Sequence, residues 1–397
     1  MLARVVLFFV GTFVGGQVNR GIYRLAWVRR DIGPWSRPAE GAPPRVWTDR
    51  IPVIGWWGLR REVPLHGRRF WIRPMLIELA CGFALPWLYV WIVEQQRIEL
   101  SDSAVPFGWL LFKFTVFAVL FTLMLIATFI DFDEKTIPDE ITVTGVLLGL
   151  LVAVTANITP LSTTDGNLHA YAPDVWPADF DRRWGIVLGL AMALAWWLAV
   201  VPKTWTTRRG WKKAWQYLGA SIVRQRIWWS VLGIVATLVL AGYLRGGDYW
   251  QNTFSSLVGI TFGGGLVWAV RIIAGVALRR EAMGFGDVTL MAMIGAFLGW
   301  QQTPAIFFFL APCSAVLIAI VQKLVTGHSE LAFGPYLCVG AAWLVLYWPS
   351  YWTRFGEPIF AMGGFVPAVI GVCLLLMAGM LFLLQGAKSL LGWTDEE

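Results

Sequence analysis

Apolar runs of about 20 residues recur along the whole chain, and each is long enough to cross a bilayer as a helix. They cover roughly residues 3–26, 74–94, 106–130, 139–157, 185–202, 228–244, 254–278, 287–301, 303–325, 332–348 and 359–386, the eighth and tenth being the shortest. A backbone immersed in hydrocarbon must satisfy its own N–H and C=O groups, which leaves helices or a closed barrel. The runs are continuous instead of alternating, which disfavours the barrel. Of the 397 residues 57% are apolar and only 14% charged, whereas soluble domains carry about 25% charge. The expectation is an all-α, polytopic helical membrane protein with about 10–11 transmembrane helices.

The first run follows Arg4, but no small-residue cleavage site precedes the polar region. It reads as a retained first span whose Gly11, Gly15 and Gly16 suit close helix packing. The net charge of +7 gathers in loops beside spans, where it meets anionic lipid, and does not point to nucleic acid. Residues 29–73 hold ten arginines, and residues 203–226 hold seven basic residues and no acid. Both loops are expected on the cytoplasmic side, and the 158–184 loop, with Asp165, Asp174, Asp179 and Asp181, on the outer side. With that parity the third span runs inward to Asp131, and the seventh runs inward to Arg279 and Arg280, just before Gly284–Asp287.

Cys81, Cys313, Cys338 and Cys373 form no CxxC pair, and His66, His169 and His328 lie far apart. No metal site and no Ser–His triad is expected. The chemistry is carried instead by carboxylates at the rims of spans. Asp131 stands in FIDFDEKTIPDEIT, where hydrocarbon gives way to water, and Asp287 in GFGD, between two apolar runs. A charge at membrane depth costs about 2.5–3.5 kcal/mol even on the lenient scale, so each marks a candidate site. Two carboxyls held close share a proton, one serving as base and the other as acid. Such a pair hydrolyses a peptide with neither metal nor nucleophilic side chain. Plainer readings exist for each residue alone. Asp287 and Asp139 would cap the helices they precede, and Asp131 would be an ordinary boundary residue. Asp133, Glu134 and Glu140 read as solvated loop charges. Gly284 and Gly286 permit φ > 0 and close backbone approach, and Pro138 forces a break before the next helix.

These motifs resemble the type IV prepilin peptidases, which are GxGD intramembrane aspartic proteases. The resemblance rests on Ile130, Asp131, Ile137, Pro138, Asp139 and Thr142, then on Gly284, Gly286, Asp287 and Leu290, followed by GAFLGW. It extends to NRGIYRL (19–25), DRIPVIGW (49–56), LIEL around Glu78 and FGPYLCVGA (333–341). It implies that Asp131 and Asp287 are the catalytic pair, with Gly284, Gly286, Pro138 and Asp139 as the supporting loops. It implies a bacterial inner-membrane enzyme that removes the leader of type IV prepilins or type II secretion pseudopilins at the cytoplasmic face. Many members then methylate the new N-terminus with S-adenosylmethionine. Glu78 is a candidate contact to substrate or methyl donor, against the plainer reading of an ion pair with Arg73. Many members carry two CxxC pairs in the first loop, for zinc; residues 60–73 hold no cysteine here, so no zinc is expected and methyl transfer is left open. Thr289 stands where the family usually has Lys. A second class, a transporter using paired carboxylates for proton or cation coupling, would place them near the midplane within inverted repeats. They sit at span ends instead, and no repeat is evident.

The organisation expected is a first helix (1–28), a basic loop (29–73), a membrane core with the first aspartate (74–157), an insertion of an outer loop and two helices (158–253), a core with GFGD (254–348), and an additional C-terminal helix (349–397).

Overall fold

The computed structural model describes residues 1–38, 40–100, 105–156, 183–203, 211–278, 283–326, 332–362 and 365–390. The 158–182 part of the expected outer loop, with its four aspartates, lies outside them, as do Arg279 and Arg280. The described residues are helical, with no strand. The principal helices are α1 (Leu2–Leu25), α2 (Ile72–Tyr89), α3 (Phe107–Glu134), α4 (Asp139–Thr155), α5 (Arg183–Val200), α6 (Trp211–Arg224), α7 (Arg226–Arg245), α8 (Gly247–Leu278), α9 (Phe285–Leu298), α10 (Ala311–Thr326), α11 (Gly334–Leu346) and α12 (Phe365–Leu390). Each of the eleven expected spans falls on one of them, and α6 is the addition. Among the described residues seven helices are long and apolar enough to cross a bilayer: α1, α2 with its continuation to Glu94, α3, α5, α7, α8 and α12 to Leu383. Phe285–Leu298, Gln302–Ile318 and Gly334–Leu346 are apolar but shorter. This is a multi-pass helical membrane protein.

The chain divides into two units, Met1–Ile141 with Leu310–Pro349, and Thr142–Phe309 with Ser350–Glu397. In the first, α1 lies along α2. Gly11 and Gly15, one turn apart, bring the backbones together: a Cβ on Gly15 would stand 2.6 Å from the Cα of Glu78. Small residues at such a crossing supply the dispersion contacts that replace a hydrophobic drive in lipid. The α11 helix packs on α3 and α10, and its last carbonyls are reached by Trp91, whose Nε1 donates to Leu346 O at 3.1 Å. A lone cation inside α3, Lys113, is 2% exposed and donates to both oxygens of Glu99 at 2.6 and 2.8 Å, so the buried charge is paired.

The core of the second unit is α9. Every residue from Asp287 to Leu298 is buried, as expected of a helix apolar all round. It packs along α8 through two glycines that face one another. A Cβ on Gly259 would meet Gly295 O at 2.1 Å, and one on Gly295 would meet Gly259 O at the same distance. Ser256 Oγ donates to Ala296 O at 2.8 Å beside them. Backbone obstructs backbone here, and no rotamer change relieves it. Gly295→Val is therefore expected to destabilise the unit by about 1–3 kcal/mol or more. The loss would be read as a lower midpoint of thermal unfolding in detergent and a smaller yield in the membrane.

The basic loop after α1 is ordered by charge pairs. Asp49, 1% exposed, accepts from Val46 N at 2.8 Å and Arg61 Nη1 at 3.0 Å, and also from Arg61 Nη2. Glu62, equally buried, pairs with Arg45 and stands 3.5 Å from His66 Nε2. Burial pushes the Asp49 carboxyl up, but the Arg61 guanidinium, the Val46 N–H and the charge of Arg45 together hold it below its ordinary value. A carboxylate depressed on folding contributes stability above its unfolded pKa, and that contribution is lost as pH falls through the folded value. Protease sensitivity of residues 29–71 should rise as pH falls below about 4, and Asp49→Asn should make the loop sensitive at every pH and flatten that acid dependence.

Candidate functional site

Asp131 ends up in the last turn of α3 because the helix continues past the apolar run to Glu134. Its chain reverses at Lys135, which takes the left-handed conformation (φ 55°) and returns its N–H to Asp131 O at 2.8 Å. The carboxylate is 5% exposed. Its Oδ2 accepts the N–H of Gly334 at 3.0 Å. Gly334 opens α11, so a helix N-terminus with its partial positive charge is directed at the anion. Any larger residue would intrude: a Cβ on Gly334 would stand 2.6 Å from that same oxygen and 2.9 Å from Ile137 Cδ1. The motif at 333–341 thus has a use that the sequence reading did not assign. The signal available was a Gly–Pro step opening an apolar helix.

Around Asp131, charges expected to be solvated are engaged. Asp133 accepts from Arg73 Nη1 at 2.7 and 2.9 Å, and Glu134 accepts the backbone N–H groups of Trp27 and Val28 at 2.7 and 3.1 Å. These bonds tie the end of α3 to α2 and to the segment leaving α1. Pro138 and Asp139 follow, and Asp139 is the first residue of α4.

Asp287 is the third residue of α9 and 7% exposed, in the first turn, where the helix dipole favours an anion. Gly284 precedes the helix with extended backbone (φ −68°, ψ 154°), and Gly286 is already helical; neither has positive φ. The freedom to adopt positive φ that glycine offers is not used at either position. At Gly284 a Cβ would lie 3.8 Å from Asp287 Oδ2, an ordinary contact. Thr289, 3% exposed, donates through Oγ1 to Gly286 O at 3.0 Å; a lysine there would need a partner for a buried charge. Arg271 of α8 holds the approach to the motif, its Nε donating to Met283 O at 3.0 Å and its guanidinium lying 5.7 Å from the Phe285 ring centre. The sequence reading did not single out Arg271, although it is the lone charge between Leu257 and Leu278 and carried the signal.

Glu78 is 3% exposed and does not pair with Arg73, which is occupied by Asp133 and stacks over Phe129 at 4.7 Å. Glu78 Oε1 accepts from Asn19 Nδ2 at 3.2 Å and Trp56 Nε1 at 2.8 Å; Oε2 accepts from Val53 N at 2.5 Å. Val53 occupies an unusual conformation for a β-branched residue, φ 66° and ψ −55°, with Ile54 N donating to Pro52 O at 2.7 Å. That is a classic γ-turn, rare and strained, and Glu78 anchors it. Glu78 also borders a small, partly open cavity with Asn19, Tyr23, Trp35 and Trp56. Among the described residues no group of three or more His, Cys, Asp or Glu is arranged to hold a metal ion.

Fold and sites together define a multi-pass membrane protein that carries a buried aspartate at the end of one apolar helix and another in the first turn of a second. Residues 218–321, which include Asp287 and Arg271, match the type IV leader peptidase family. The chain is 34% identical over 119 residues to the prepilin leader peptidase/N-methyltransferase of Aeromonas salmonicida, covering 29% of this chain and 38% of that protein. It is 36% identical over 101 residues to the protein of that name from Pseudomonas aeruginosa (25% and 34%), and 33% identical over 100 residues to the one from Escherichia coli K12 (24% and 44%). The matched stretches span less than half the length of each of these curated relatives. No solved structure matches the chain.

Proposed function

We propose that the chain is an intramembrane aspartic endopeptidase of the bacterial inner membrane. It would remove the leader from type IV prepilins or type II secretion pseudopilins at the cytoplasmic face, with Asp131 and Asp287 as its catalytic pair. The observation that carries this reading is the burial of both carboxyls, one at the last turn and one at the first turn of apolar helices. The family match over 218–321 and the names of the relatives support it. In the proposed reaction the ionised carboxyl takes a proton from a water as its oxygen attacks the scissile carbonyl. The protonated partner gives its proton to the carbonyl oxygen. The tetrahedral intermediate then breaks its C–N bond as the leaving nitrogen takes up a proton. Gly334 N–H would hold Asp131 in one orientation during both steps.

Pro138 and Asp139 belong to this proposal as the turn that ends the first motif, and Gly284 and Gly286 as the small residues beside Asp287. Relatives are named N-methyltransferases, and S-adenosylmethionine would be the methyl donor if this chain shares that step; the Glu78 oxygens, however, are engaged by three N–H groups. Glu78 is better read as the positioning residue of the 49–58 segment. The test is co-expression of the full chain with a candidate prepilin, followed by an intact mass of the product. Loss of the leader after its glycine supports the proposal, and an unshortened prepilin of every tested class refutes it. The same mass shows directly whether a methyl group has been added.

A further inference from the structure

We infer that α6 is an interfacial helix that lies in the headgroup layer of an anionic leaflet, apolar stripe down. Trp211, Trp215, Leu218 and Ile222 fall at i, i+4, i+7 and i+11 and form one stripe. Its two tryptophans are 69% and 62% exposed. Lys212 flanks the stripe, and Lys213 and Arg224 stand on the far side with Gln216. An amphipathic helix with aromatic anchors on one face and basic residues on the other is the form that binds at a membrane surface.

Three further observations commit the occupant to lipid and to negative charge. The helix is tethered at the bilayer from both ends, since α5 ends at Val200, α7 begins at Arg226, and both are long and apolar enough to span. Gln225 alone separates α6 from α7. No acidic residue occurs from 203 to 226, where seven basic ones do. A helix is about 10–12 Å thick, so even the far-side cations lie within about one Debye length of the phosphates. Each basic residue near an anionic leaflet strengthens attachment about fivefold. This inference is independent of the proposed peptidase activity.

A 14-residue helix containing glycine is marginal in water, so its amide protection reports what covers its apolar face. The test reconstitutes the full chain in nanodiscs of phosphatidylcholine alone, or of phosphatidylcholine with phosphatidylglycerol, and follows hydrogen–deuterium exchange of peptides within 211–224. Exchange is expected to be slower in the anionic discs and to quicken at high salt. Lys212→Gln with Lys213→Gln should weaken attachment roughly 25-fold, and Trp215→Ser should quicken exchange in the anionic discs, with peptides of α9 unchanged in both. Exchange that is equal in the two lipids, whether fast or slow, overturns the inference on the unmodified protein, so the result does not depend on either variant folding.

Discussion

Asp131→Asn and Asp287→Asn are each expected to yield a chain that inserts and accumulates normally but leaves a co-expressed prepilin at full length. The size of the effect follows from the proposed chemistry: a positioned general acid or base contributes about 10²–10⁴-fold, and in the proposed pair one substitution removes half of the acid–base couple. The preserved fold follows from the geometry. An asparagine side chain has nearly the same shape, and its Oδ1 can still accept the Gly334 N–H that Asp131 Oδ2 takes at 3.0 Å. At Asp287 the carboxyl stands in the first turn of a helix that is buried from that residue onward, and the amide substitute occupies the same volume. The measurement is an immunoblot for membrane-inserted protein beside a mass spectrum of the pilin. Full processing by either variant would remove that residue from the proposed pair.

Gly334→Ala is expected to abolish most of the activity while leaving both aspartates in the chain. The added methyl would stand 2.6 Å from Asp131 Oδ2 and 2.9 Å from Ile137 Cδ1, closer than real contacts allow, so the carboxyl must swing away or α11 must shift. Either movement takes Asp131 off the backbone N–H that orients it, and misplacement by about 1 Å can cost 10²-fold in rate. The fold should tolerate the change, because alanine is compatible with the helical start that follows Phe333 and the strain is confined to two side chains, Asp131 and Ile137. Gly340→Ala in the same helix serves as the comparison, since its Cβ would first meet the Leu310 side chain at 3.0 Å, away from Asp131. Loss at 334 with retention at 340 is the expected pattern. Equal activity of Gly334→Ala and the unaltered chain would show that the Gly334 contact does not orient the acid.

The membrane helices were legible in the sequence because lipid leaves a backbone so few options. Apolar length alone located eleven of the twelve principal helices, seven of them long enough to span, and it missed only α6, whose tryptophans and lysines do not make an apolar run. The two aspartates were legible for the same reason: a charge beside hydrocarbon stands out. Partners were harder. An ion pair between Glu78 and Arg73 is plausible on a linear reading, but five residues along a helix place two side chains about 140° apart. Arg73 therefore meets Asp133 and Phe129 on α3, while Glu78 faces α1 and the loop. The conformations of Gly284 and Gly286 could not be read from their identity, since glycine permits left-handed backbone without requiring it. Gly334 and Arg271 stood out, one in a Gly–Pro step and the other as a lone charge in an apolar run, but their partners, 203 and 12 residues away along the chain, could not be read.

The anchoring of Val53 by Glu78 has a consequence for how the protein is made. Residues 49–58 leave the ribosome before Glu78 does, yet their strained turn is held by a carboxylate that arrives only when the second helix has entered the translocon. The segment between the first two helices must therefore wait, unsettled, through the synthesis of some twenty more residues. Nascent chains arrested ahead of Glu78 should present that segment to quality-control proteases, and chains arrested after α2 has inserted should withhold it.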